Sequence, residues 1–311
     1  MRTKVILNAR AGTLIDKGGD DPAGMVDAAF EAAGRPAEVQ LCEPDGIGAC
    51  LDKAVKEGAE AVIVGGGDGT VAMAVARMAG SDTALGILPF GTLNLLAKDI
   101  GIPLDLAEAI EALARAKPSE IDLGEINGKP FHTLSGIGFF SEIARAREEV
   151  RGLKLPLGRY IAVAVSAARA LRRARPMKLM LEIDGAPREV DAYALLVTNN
   201  AFRGPGWNRP RLDEGVLEIH IAHDTTLPDK LKAGVDLIAD AWRDNPGIES
   251  LTAQRLTVVR EGRSRLWVAT DGEIGREDAP LDYRIKPRAL TVLKPEAVAG
   301  EALSSPVPTS P

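Results

Sequence analysis

The chain has 311 residues, more than one average domain needs, with 45% hydrophobic and 26% charged residues, as in ordinary globular proteins. A net charge of −6 argues against a nucleic-acid binder, which needs a basic footprint to displace counterions. The sequence has no run of roughly 18 apolar residues to span a membrane and MRTKVILNAR lacks a signal peptide's apolar core, so a cytoplasmic protein is expected.

The first 120 residues alternate apolar runs with helical patterns. Lys4 to Asn8 reads as a strand, followed by a helix with Asp21 as N-cap, Pro22 in its first turn and Gly34 as its stop. Ala37 to Leu41, a helix from Asp45 to Glu57, Ala61 to Gly65, a helix from Thr70, Ala84 to Pro89 and a further helix continue the rhythm. Such βαβ units imply a parallel sheet with ligands at the carboxyl ends of its strands. Cys42 and Cys50 are read as reduced, structural thiols.

After Gly124 the rhythm changes to strands joined by turns. Asn127-Gly128 and Asp184-Gly185 fit type I′ hairpins, and strands are expected at Ala192 to Thr198, in GVLEIHIAH, QRLTVVRE, RLWVAT and RALTVLK. The fold class is thus α/β plus β: an N-terminal three-layer α/β domain with a parallel sheet over residues 1–124, and a C-terminal antiparallel β-sandwich over 125–288. The chain is expected to return to the first domain at about 289–300, and the small, proline-rich tail 301–311 to be disordered.

VGGGDGTV, from Val64 to Val71, places four glycines around one aspartate between a strand and a helix. Glycine accepts positive φ and lets other groups approach the main chain. The spacing fails the G-x-G-x-x-G dinucleotide fingerprint and no Walker A string occurs here. Glycine amides and a helix N-terminus instead suit phosphate oxygens, and Asp68 makes sense if Mg²⁺ or its waters lie between. A second turn, LPFGTLNLLAKDIGIP, offers Gly91, Thr92 and Asn94 at the end of the next strand.

In this order and spacing the two strings resemble the diacylglycerol kinase catalytic family, which includes bacterial lipid kinases and sphingosine kinases. SGIGFF, LLVTNNAFRGPGWNRPRLDEGVLEIHI and TDGE look like later segments of the same family. The resemblance implies an ATP-dependent lipid kinase acting on a diacylglycerol-like or sphingoid hydroxyl, with ATP and Mg²⁺ as cofactors. It places nucleotide-binding residues at Asn8, Gly65, Gly66, Gly67, Asp68, Gly69, Thr70, Gly91, Thr92, Asn94 and Glu273. Asp271 of D-G-E becomes the general base, and Asp68, Glu214 and Leu217 the metal ligands. TDGE is also an ordinary β-turn sequence.

The sequence departs from the family at NARAG, which keeps Asn8 and Gly12 but not the family's proline and serine, at Glu214 in place of aspartate, and at Phe140. His220 and His223 are read as ordinary sheet residues, and His132 has no evident partner. Gly158 to Lys178 mixes apolar residues with Arg169, Arg172, Arg173 and Arg175, which suits either peripheral, transient contact with a lipid surface or a packed helix with a solvated basic end. A membrane lipid substrate and a homodimer are the expected partners. The rival readings are an NAD kinase, which shares the GGDG loop, and a nucleotide-sensing homologue without turnover.

Overall fold

The runs Ala61–Gly66 and Ala84–Pro89 are buried along their whole length, as in a parallel sheet with helices on both faces. The computed structural model describes residues 2–10, 22–149, 176–203, 209–223 and 245–296, with 226, 229, 232 and 236. The expected N-cap Asp21, most of the basic segment Gly158 to Lys178 and the tail 301–311 lie outside these residues. Strands β1 (Thr3–Asn8), β2 (Ala37–Cys42), β3 (Ala61–Gly66) and β4 (Ala84–Pro89) form a parallel sheet in the order β4-β3-β1-β2.

That order fixes the layers. The step from β1 to β2 runs one way across the sheet and the steps from β2 through β3 to β4 the other. Right-handed crossovers therefore put helix α1 (Pro22–Ala32) on one face, and α2 (Ile47–Lys56) and α3 (Asp68–Met78) on the other. Packing agrees: α2 lies against α3, and α1 against α5 (Leu106–Arg115), which follows the short α4 (Leu95–Asp99). The direction of winding switches between β1 and β3, so a crevice is expected beyond Asn8 and Gly66.

The second half is an antiparallel β-sandwich. Its strands are β5 (Lys117–Ile126), β6 (Lys129–Phe131), β7 (Leu134–Gly138), β8 (Met177–Ile183), β9 (Ala186–Asn199), β10 (Leu217–His223), β11 (Ile248–Ala253), β12 (Arg255–Arg260), β13 (Arg265–Thr270), β14 (Glu273–Asp278) and β15 (Leu281–Lys294). Helix α6 (Phe139–Glu149) follows β7. The two larger cores lie around Leu7, Ile63 and Leu85 and around Leu179, Val197, Ile219 and Tyr283. Strand β15 joins them: Tyr283 pairs with Leu256 of β12, while Val292 pairs in parallel with Leu85 of β4.

Three two-residue hairpins share one design. Asn127-Gly128, Asp184-Gly185 and Asp271-Gly272 all carry two positive φ values, at 48° and 80°, 48° and 87°, and 48° and 89°. This is the backbone of a type I′ turn, which Asn, Asp and Gly tolerate best. In each, the first side chain accepts from the main chain of a neighbouring strand. Asn127 Oδ1 takes Asp282 N at 2.9 Å, Asp184 Oδ1 takes Gln254 N and Arg255 N at 3.0 and 2.9 Å, and Asp271 caps residues 132–134.

Two expectations are corrected. Cys42 and Cys50 are joined in a disulfide rather than reduced, because the turn after β2 brings α2 back over the strand's end. The two cysteines therefore give no support to a reducing compartment. The nucleotide-loop glycines 65, 66, 67, 69 and 91 do not adopt positive φ, and close packing, not left-handed backbone, requires Gly65, Gly66 and Gly91. Among the described residues no helix is long and apolar enough to cross a membrane.

Candidate active site

Strand β3 ends against solid packing. A Cβ on Gly65 would lie 2.6 Å from both Leu7 Cδ2 and Phe90 Cε2, and one on Gly66 would lie 2.5 Å from Thr70 Cβ. These two glycines therefore let the strand enter the turn. Gly67 and Gly91 serve a different purpose: a Cβ on Gly91 would come within 2.9 Å of Gly67 Cα and 3.2 Å of Asp68 N. The two turns touch main chain to main chain, which a side chain on Gly91 would prevent, whereas a Cβ on Gly67 would lie an ordinary 3.5 Å from Gly91 Cα.

Helix α3 starts at Asp68 with Gly67 as its N-cap, two residues before the expected start. Thr70 N and Val71 N close on Gly67 O at 2.9 and 3.1 Å, while the first amides of a helix lack an intrahelical acceptor and carry its positive dipole end. Asp68 Oδ1 accepts from Leu95 N at 3.2 Å, tying the first turn to the second. Asn94, at φ 49°, is locked into its own turn: Oδ1 accepts from Gly91 N and Nδ2 donates to Gly91 O, both at 2.8 Å. Asn8 Nδ2 reaches Thr70 Oγ1 at 3.4 Å from the end of β1, and Thr92 is exposed beside the loop.

The other wall comes from the sandwich. Hairpin β13–β14 carries Asp271 and Glu273, and Glu273 Oε1 lies 3.3 Å from where a Cβ on Gly69 would stand. The Asp271 side chain is only 4% exposed because it caps β7. Its Oδ1 accepts from Thr133 N and Leu134 N at 2.9 and 3.1 Å, and its Oδ2 from His132 N at 2.8 Å. His132, without a partner in the sequence reading, is buried here, with Nε2 3.5 Å from Asp271 Oδ2. Burial holds its pKa below the ordinary value. Asp271 opposes that shift, Arg209 adds to it, and Asp68 is near enough to oppose it too.

Arg209 is a second residue the sequence does not reveal. Its side chain is fully buried, with Nε 3.1 Å from Asp99 Oδ2, and NH1 donates to Asn199 O at 2.8 Å. Nothing in RPRLDE distinguishes this arginine from a surface charge. Asp122 is a third, accepting from Gly215 N at 2.7 Å and Arg288 N at 2.9 Å.

Among the described residues no hydrogen bond joins the expected metal ligands Asp68, Glu214 and Leu217 to one another. Glu214 accepts from Ala201 N at 3.4 Å and Arg203 Nε at 3.2 Å, and shares no hydrogen-bond partner with Asp68. Leu217 is buried at the start of β10, in register with Asn199 and Ala253. Among the described residues no three His, Cys, Asp or Glu side chains group so as to hold a metal. His220 and His223 contact Ser250 and Glu249 as sheet residues, at 2.8 and 2.9 Å.

Two family models match the chain: the diacylglycerol kinase catalytic domain over residues 2–126, and the YegS C-terminal NAD kinase beta sandwich-like domain over 140–294. A YegS-like lipid kinase of Pseudomonas aeruginosa is 31% identical over 289 residues, covering 89% of this chain and 91% of that protein. A diacylglycerol kinase of Mycobacterium tuberculosis is 30% identical over 258 residues, covering 79% and 80%. The chain spans 56% of the length of an uncharacterised Synechocystis protein to which it is 27% identical. A crystal structure of a diacylglycerol kinase from Bacillus anthracis superposes with a TM-score of 0.67 at 18% identity, covering 94% of this chain and 96% of that one, a likeness of fold.

Proposed function

Since this chain belongs to the diacylglycerol kinase catalytic family, we propose that it transfers the γ-phosphate of ATP to a hydroxyl of a diacylglycerol-like or sphingoid lipid. The observation that carries the reading is the approach of Glu273 to Gly69, which sets the D-G-E hairpin against the glycine turn. The phosphates lie along the main chain of Gly65 to Thr70 and the start of α3, where amides and dipole favour negative charge. Asn8, Gly91, Thr92 and Asn94 line the same crevice from the ends of β1 and β4.

In the transfer, the lipid oxygen bonds to the γ-phosphorus, the bridging bond to the β-phosphate breaks, and ADP leaves. The hydroxyl proton goes to Asp271. Oδ1 of Asp271 accepts two amides and Oδ2 only one, so Oδ2 keeps a lone pair for that proton. Mg²⁺, bound with the triphosphate, would neutralise its negative charge. Because Glu214 is committed to Ala201 and Arg203, no step is assigned to a resident ion. The lipid is met by transient, peripheral contact at a membrane surface.

The test is transfer of label from γ-labelled ATP, with Mg²⁺, to lipid vesicles or to NAD. Label in an organic-soluble lipid phosphate supports the proposal. Label in NADP would assign the chain to the chemistry named in its C-terminal family model, and no acceptor at all would favour a nucleotide sensor.

A further inference from the structure

His132 is buried beside the proposed base, in a network that favours one ring nitrogen as the carrier of its proton. Arg209 NH2 stands 3.2 Å from Thr133 Oγ1. A guanidinium only donates, so Thr133 Oγ1 accepts from it with one lone pair and has its proton left to offer His132 Nδ1, 2.7 Å away. The reverse arrangement, a protonated Nδ1, would set the bare lone pair of Nε2 against the Asp271 carboxylate, and so is disfavoured. An imidazole accepting at Nδ1 and kept neutral by burial carries its proton on Nε2. Nε2 lies 3.5 Å from Asp271 Oδ2, buried, with no hydrogen-bond partner among the described residues.

Oxygen by oxygen, the Asp271 carboxylate is unequal. Both lone pairs of Oδ1 are committed to Thr133 N and Leu134 N, and one of Oδ2 to His132 N. The imidazole Nε2 stands 3.5 Å from Oδ2 without a hydrogen bond to it. Rotating the carboxylate would break all three amide bonds.

We propose that His132 is a positioning residue for Asp271: its Nε2–H, oriented through Thr133 from the buried Arg209–Asp99 pair, keeps Oδ2 as the oxygen that takes the acceptor's proton. The proposal rests on the kinase reading for its catalytic consequence, but not for its geometry. Among the described residues no hydrogen bond joins the ring to either phosphate loop, so its effect is expected on turnover and not on substrate affinity.

Two measurements test it on the full chain. Nitrogen-15 NMR of the histidine rings, with His132 assigned through His132→Gln, reads the tautomer directly. Protonated Nε2 with bare Nδ1 is expected in the wild type, and Thr133→Val, which removes the orienting hydroxyl, should yield a mixture. A wild-type ring protonated at Nδ1, or at both nitrogens at neutral pH, overturns the proposal. In the labelled-ATP assay, His132→Leu should lower kcat about 10- to 100-fold with unchanged KM for both substrates, the scale expected of a misplaced reacting group. His132→Gln, whose amide can donate in place of Nε2, should recover most of it. Equal kcat in His132→Leu and wild type, or a loss carried by KM, overturns the proposal. A wild-type protein that moves no phosphate overturns the kinase reading and the catalytic consequence together, and the tautomer still decides the geometry.

Discussion

Glu273 Oε1 occupies the space beside Gly69, 3.3 Å from where a Cβ would stand. A residue at the base of the C-terminal hairpin is thus in van der Waals reach of the first turn of α3. Gly69→Ala separates stability from activity at this contact. Alanine is the better helix former by up to about 1 kcal/mol, and Glu273 is exposed enough to move aside. Melting temperature should hold or rise while turnover falls several-fold because Glu273 is displaced. A fall in stability with full turnover would deny that the contact matters to the site.

Gly91→Ala should behave differently. Its Cβ would meet Gly67 Cα at 2.9 Å and Asp68 N at 3.2 Å, main-chain atoms that move only with the turn itself. A cost of about 1–3 kcal/mol is expected from overpacking, with loss of ATP binding. Urea midpoints and calorimetry with an ATP analogue measure the two effects, and wild-type nucleotide affinity would contradict the proposed contact between the turns.

Asp271→Asn is the sharpest substitution at the proposed base. Asn127 shows that an asparagine fits the same turn, with φ 48° and an oxygen accepting from a strand amide. The substituted amide keeps the Oδ1 contacts and loses the bond from His132 N to a charged oxygen, worth about 1.5–3 kcal/mol. Transfer to lipid should fall about 10²- to 10⁴-fold, the span of general base catalysis. Retention of full transfer would remove Asp271 from the chemistry and leave it as a turn cap.

The Arg209–Asp99 pair joins the segment after β9 to α4 while fully buried on the arginine side and 4% exposed on the aspartate side. Arg209→Met strands the Asp99 carboxylate, and breaking such a pair typically costs about 3–5 kcal/mol. The double variant Arg209→Met with Asp99→Leu should recover part of this loss. Denaturant unfolding of both proteins checks it.

The sandwich has an acid-sensitive tie at Glu249, whose pKa is lowered to about 2, first by Arg188 and further by His223, against desolvation. A carboxylate depressed on folding stabilises above its unfolded pKa, and that contribution is lost as pH falls from near 4.5 toward 2. Because both partners are more than a third exposed, the effect is held to under about 1 kcal/mol. Glu249→Gln should flatten the stability profile in that window, and an unchanged slope would place the acid sensitivity elsewhere.

Strands were legible where burial wrote a continuous apolar run, as at Ala84–Pro89, and turns where Asx-Gly demanded left-handed backbone, as at Asn127 and Asp184. The start of β5, KPSE, and the whole of β14, EIGRED, gave no such signal, because their side chains are largely exposed and neighbouring strands hold them by main-chain bonds. The glycine turn was legible as a place of close approach, though its lack of positive φ was not. His132 and Arg209 were invisible for another reason. Their partners lie 139 and 110 residues away, and a buried charge announces itself only through what surrounds it.

A crystal structure with the β,γ-imido analogue of ATP bound addresses the account most directly. The phosphates should rest on the amides between Gly67 and Thr70, with the terminal phosphate between the start of α3 and the Asp271–Glu273 hairpin. A nucleotide seated elsewhere with that turn bare, or a terminal phosphate facing away from Asp271, would contradict it.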